Sequence, residues 1–247
     1  MITSRVLPPP RPGSRRRGGA AAPPAGPVPV AGVVVTAELD LAPGERLYTE
    51  GEPATAPYLV MAGVLRVCVD AQGRSRLVDL VGAGDVVGTA ALETGRHAES
   101  VHAAEGGAVV QVVDLEATLA QREPRQVLAS ALVRQLVRSR QLADDLGLPM
   151  GARICRILAR LAERLGEPLE GPPPDVEGAP PASGWRHLPF SLTHDDVALM
   201  AGCARVTATR VLGDLKQAGV LGGTRGDYAL VPAALEEAAD RYVWDVI

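Results

Sequence analysis

The chain is predicted to be an α+β protein: an N-terminal β-roll of the jelly-roll kind, a long helix behind it, and a C-terminal winged helix-turn-helix. Three observations predict this. Short Val/Leu-rich segments separated by glycine run from about Val33 to Val113. Between Glu123 and Leu146 no Gly occurs, and no Pro after Pro124, while Leu128, Leu132 and Leu136 recur at every fourth place. From Thr193 to Gly219 the pattern is helix, glycine, helix.

Residues 1–28 interleave Pro, Arg, Gly and Ala with almost nothing to bury, and read as a disordered tail. The β-roll is assigned to 29–122. Within it, Val64, Arg66, Cys68 and Asp70 alternate with Leu65, Val67 and Val69, the period of two of a strand. The long helix is assigned to 123–147. Leu128, Leu132, Leu136, Leu142 and Leu146 give it an apolar stripe that fits either the sheet or a seam with a second copy. Residues 148–247 form the last domain. Its first helix, Arg153 to about Leu165, carries Ile154, Ile157, Leu158 and Leu161; a Pro-rich loop covers 166–184, and Trp185 to Phe190 reads as a short strand.

Composition bounds the function. The chain has 247 residues, 47% hydrophobic and 22% charged, ordinary for a globular protein. No apolar run reaches the roughly 18–20 residues that a membrane span needs, so no membrane partner is expected. Arg15, Arg16 and Arg17 are followed by Gly, Ala and Pro rather than by the apolar core of a secretory signal. The three cysteines, Cys68, Cys155 and Cys203, are far apart and read as reduced, buried thiols of a cytoplasmic protein. No metal, cofactor or catalytic constellation emerges from them or from the four dispersed histidines, and an enzyme is not expected. The net charge of −4 requires any basic surface to be local, and 3% aromatics argue against a stacking platform for single strands.

The helix–glycine–helix stretch carries the chemistry. Thr193 is an N-cap, Asp195 and Asp196 sit where a helix dipole favours acids, Gly202 allows the turn, and Gly219 ends the second helix. That second helix begins with Arg205, Val206, Thr207, Thr209 and Arg210. A recognition helix reads base edges with its first residues, so Arg205 and Arg210 are candidates for guanine, and Thr207 or Thr209 for phosphate. Val220 to Val231 reads as two strands around a turn, a wing with Arg225 at its tip, and Arg225 and Thr193 join the candidate DNA contacts.

Three stretches, in order, resemble the CRP/FNR family of bacterial regulators over about residues 40–232. The first is Leu41-Ala-Pro-Gly-Glu-Arg-Leu-Tyr-Thr-Glu-Gly-Glu52 with Tyr58 to Val67 and Gly84-Asp-Val-Val-Gly88, similar to a cyclic-nucleotide-binding β-roll. The second is Arg153 to Ala162, similar to the helix that follows the dimer helix. The third is Leu192 to Leu212, similar to the family's helix-turn-helix. The resemblance implies a homodimer through the helix around Leu128–Leu146, double-stranded DNA as ligand, and RNA polymerase as a further partner. It places the effector pocket at Gly88, Thr89, Ala90, Glu99 and Ser100, with Arg138 and Ser139 from the long helix.

Departures from the family pattern matter. Cyclic-nucleotide binders pair a Gly-Glu with an Arg-Ser that holds the phosphate; here Gly88-Thr89 and Glu99-Ser100 stand instead. Like charges about 4 Å apart at an effective dielectric near 20 cost about 4 kcal/mol. cAMP is therefore not expected to bind in the usual way, and no cofactor is expected. Val206 replaces a cytosine-reading Glu and offers only an apolar contact, to a thymine methyl. His194 stands where an Arg commonly holds phosphate, which makes that contact weaker or pH-dependent. The sequence leaves two readings: a DNA-binding transcription regulator, or a sensor and scaffold whose vestigial winged helix acts through protein partners.

Overall fold

The computed structural model describes residues 32–71, 73–176, 184–224 and 226–244. The 1–28 tail, part of the Pro-rich loop, and Arg225 at the wing tip lie outside them.

Six strands build the front domain: β1 (Val35–Leu41), β2 (Arg46–Tyr48), β3 (Tyr58–Ala71), β4 (Arg74–Gly82), β5 (Val86–Val87) and β6 (Ser100–Val113). They pair antiparallel in the order β1-β6-β3-β4, with β2 on β6 and β5 on β3. Strand alternation sends side chains to different cores. Val60, Leu65, Val81, Val101 and Val110 fill the inside of the roll. Val64, Cys68, Leu77 and Leu80 face outward and share one continuous core with the C-terminal domain. β3 and β6, 14 residues each, are long enough to serve both, and their pairing shifts register near Gly63, whose φ of 76° places its backbone where a Cβ would run into the carbonyl of Gly107.

The helix α1 (Ala91–Thr94) lies in the loop between β5 and β6, and α2 (Leu115–Ala120) follows the roll. Asp114 caps α2 by accepting from Ala117 N at 3.0 Å. The long helix, α3, spans Arg122–Asp145. Its predicted single stripe divides. Leu128 is buried with Leu59, Val86 and Val113 of the roll, and Leu132 packs on the same cluster. Leu142 packs on the C-terminal core instead, while Leu136 and Leu146 are exposed. A step of four residues advances about 40° beyond a full turn, so a run of such steps leaves the face on which it began.

Then come α4 (Met150–Leu165), β7 (Glu167–Pro168), β8 (Arg186–His187), α5 (His194–Ala201), α6 (Arg205–Gln217), β9 (Leu221–Thr224), β10 (Asp227–Leu230) and α7 (Pro232–Trp244). Helix α4 starts three residues ahead of the predicted Arg153, because Pro149 is tolerated at a helix start. It buries Ile154, Ile157, Leu158 and Leu161 as expected. The Trp185–Phe190 strand shrinks to two paired residues within the sheet β7-β8-β10-β9, although Trp185 and Leu188 are buried. The sequence offers no expectation after Val231, yet α7 covers α4 with Leu235, Ala238 and Ala239, and the Tyr242 ring lies where a side chain on Gly151 would be.

Candidate DNA-binding face and effector segment

Local signals build the helix-turn-helix. The Thr193 hydroxyl accepts from Asp196 N at 3.1 Å, and the Asp196 carboxylate accepts from Thr193 N at 3.0 Å, a capping box that starts α5. Gly202 ends it in the left-handed region at φ 64°, which a side chain would resist. The chain turns and α6 begins at Arg205. Ala208, Val211, Leu212 and Leu215 are buried. Arg205, Val206, Thr209, Arg210 and Asp214 face solvent, and Val206 is 80% exposed. Thr207 lies half-buried at the edge of this face. His194 Nδ1 is 2.9 Å from Thr209 Oγ1, and Asp195 Oδ2 is 3.5 Å from Arg205 Nη1. The face therefore gathers Arg205, Val206, Thr209, Arg210 and His194. Thr193, exposed next to His194, also caps α5.

The effector segment is packed by the chain's own side chains. Glu99 accepts from the Tyr48 hydroxyl at 2.9 Å and from Gly88 N at 3.3 Å. His97 is buried and stacks on Tyr48, ring centres 3.5 Å apart and 7° from parallel. Burial, then the Glu99 charge, pushes the Tyr48 phenol far up, so it stays a neutral donor. Burial likewise lowers the His97 imidazole, against the pull of Glu99 and Glu52. Ser100 Oγ accepts from Glu50 N at 2.9 Å, and Thr89 and Ala90 are half-buried beside Gly88. Sequence reasoning misses Tyr48 and His97, since neither belongs to the motif that marks the segment.

Arg138 and Ser139 do not join this cluster through any contact of theirs. Arg138 reaches Asp85 at 2.6 Å and Asp79 at 3.9 Å, and Ser139 donates to the Gln135 carbonyl of its own helix. Asp85, buried in the turn before β5, also takes Arg164 of α4 at 3.7 Å. One carboxylate thus touches the roll, α3 and α4. At the junction between α3 and α4, Arg153 donates to the carbonyls of Asp145, Leu146, Leu148 and Ala201. Cys68 and Cys155 are buried and Cys203 half-buried, all as free thiols; burial pushes the Cys155 thiol up to about 12. Among the described residues no cluster of metal-ligating side chains occurs, and no helix is long and apolar enough to cross a membrane.

A β-roll of the cyclic-nucleotide-binding kind joined to an exposed recognition helix and wing defines a DNA-binding transcription regulator. Comparison with known proteins agrees: residues 38–122 match the cyclic nucleotide-binding domain and residues 152–238 the Crp-like helix-turn-helix domain. The chain belongs to the CRP/FNR family, which comprises transcription regulators rather than enzymes. It is 28% identical to the CRP-like cAMP-activated global transcriptional regulator of Mycobacterium tuberculosis, over 73% of this chain and 78% of that one. It is 25% identical to the global nitrogen regulator of Synechococcus elongatus, over 70% and 76%. A CRP-family transcriptional regulator from Thermus thermophilus superposes with a TM-score of 0.65 at 26% identity, covering 83% of this chain and 98% of the other.

Proposed function

We propose that the chain is a homodimeric, sequence-specific DNA-binding regulator that works without cAMP in the family's usual seat. The observation that carries this reading is the solvent-facing side of α6, where Arg205, Val206, Thr209 and Arg210 stand free of the core behind a capped α5. Arginine reads guanine with two parallel hydrogen bonds, and Val206 offers a contact only to an apolar group such as a thymine methyl.

A second copy has a ready surface on α3. Gln126, Ala129, Val133, Leu136, Arg140 and Ala143 alternate at spacings of three and four, and all are exposed. Val133 is 58%, Leu136 68% and Val137 49% exposed, an apolar patch on a helix whose other side is buried. A two-fold dimer presents two copies of α6 to half-sites about one helical turn apart, roughly 34–36 Å.

The pocket reading rests on Glu99. Its carboxylate takes the Gly88 N–H, and Tyr48 and His97 pack beside it. A cyclic phosphate brought there meets a negative charge in place of the family's arginine. RNA polymerase, the partner a regulator of this class addresses, belongs to the same reading. Selection of duplexes from a random pool, followed by a gel shift, tests it. The expected product is a pseudo-palindrome bound by the dimer, with the specific shift lost in Arg205→Ala/Arg210→Ala. The absence of any specific shift, at any salt, would contradict it.

A further inference from the structure

Two consecutive residues of α5 reach onto the solvent face of α6: His194 to Thr209 at 2.9 Å and Asp195 to Arg205 at 3.5 Å. Arg205 and Thr209 are four residues apart, on one side of the helix. Arg205 is 68% and Asp195 58% exposed, so the ion pair contributes little to the stability of the fold. Its consequence lies with whatever approaches that face.

We propose that Asp195 is a specificity-determining positioning residue, which lets Arg205 contribute to binding only where a guanine meets it. The inference rests on the reading of α6 as the DNA-reading helix. Asp195 engages one terminal nitrogen, Nη1. The opposite edge of the guanidinium, Nε with Nη2, stays free, and it has the fork geometry that guanine O6 and N7 accept. A fork already held loses less rotamer freedom on binding.

The same carboxylate acts on DNA that lacks the guanine. Sequence-independent affinity comes from cations near phosphates. Asp195 offsets part of the charge of Arg205 at short range, so this arginine adds less to that attraction. Against the right base the pair gains two directional hydrogen bonds; against the wrong base it gains none, and the carboxylate faces phosphate. Discrimination improves on both sides of the ratio.

The test measures fluorescence anisotropy of the full chain on the selected duplex and on a duplex changed at the base pair where Arg205→Ala loses its preference. Asp195→Asn is expected to tighten binding to the changed duplex about threefold to tenfold, and to cut discrimination at that pair by about tenfold, the scale of one bidentate contact. Asp195→Glu keeps the charge and is expected to restore most of the discrimination. In the Arg205→Ala background, Asp195→Asn is expected to leave discrimination unchanged. An unchanged ratio in Asp195→Asn, or an equal effect with and without Arg205, overturns the inference while leaving α6 as the reader. A wild-type chain with no duplex preference overturns both.

Discussion

Arg66 on β3 and Asp196 on α5 meet at 2.8 Å, across the seam between the β-roll and the winged-helix domain. Arg66 also donates to the Ser191 carbonyl at 3.0 Å, and Glu105 of β6 accepts from Ser191 N at 3.2 Å. Val64 and Cys68, on the same side of β3, enter the core of the C-terminal domain. The carboxylate that caps α5 is thus also the one that ties the domain to the roll. Both side chains are mostly covered, 16% and 13% exposed, so the pair is shielded more than a surface bridge. Arg66→Ala is expected to lower stability in urea by about 1–3 kcal/mol. Adding Asp196→Asn is expected to cost less than the sum of the two single losses. Strict additivity would show that the two side chains do not couple.

Arg153 ties the end of α3 to the end of α5 through four carbonyls, and it is buried. Arg153→Met keeps the apolar stem and removes every donor. Four carbonyls lose a donor, two of them (Asp145 and Ala201) in buried contacts, each buried loss costing about 1–3 kcal/mol. A loss of at least about 3 kcal/mol in thermal or urea unfolding is expected; a loss below about 1 kcal/mol would contradict the clamp.

The His97 imidazole, lowered chiefly by burial, binds its proton less readily in the folded chain than in the unfolded one. Its contribution to stability is complete above the ordinary value of 6.5 and is lost as the pH falls below it. His102 shifts the same way, through burial and then Arg66 and Arg46. The melting temperature is expected to fall from about pH 7 to about pH 5, and less steeply in His97→Gln. Equal slopes in the two proteins would contradict this account.

Val133 and Leu136 are the most exposed large apolar side chains of the proposed α3 dimer face. Val133→Asp/Leu136→Asp places like charges along a two-fold seam and is expected to yield monomers in sedimentation, with a fold unchanged by circular dichroism. A dimer surviving both changes would move the seam elsewhere.

Much of this architecture is legible in the sequence. Thr193, Gly202 and Gly219 act within a few residues of themselves, so the helix-turn-helix bounds follow from local chemistry. The apolar stripe of the long helix is half legible. Leu128 and Leu132 serve the roll instead, a choice set by Val86 and Val113 far away in the chain. Arg66 carries a signal that is easily missed: a charged residue on the same side of a strand as Val64 and Cys68 has to meet a partner. Tyr48 and Asp85 lie within stretches that resemble the family, yet their contacts, like those of His97 and α7, are not legible, because each takes its role from residues distant in sequence.

DNA binding independent of cAMP is the centre of the account, and one titration tests it most directly. Affinity of the full chain for its selected duplex is measured with and without about 1 mM cAMP, a level that fills even sites of high-micromolar affinity. The account predicts affinities equal within about twofold. Tightening by about tenfold or more, the range of effector coupling, would contradict it.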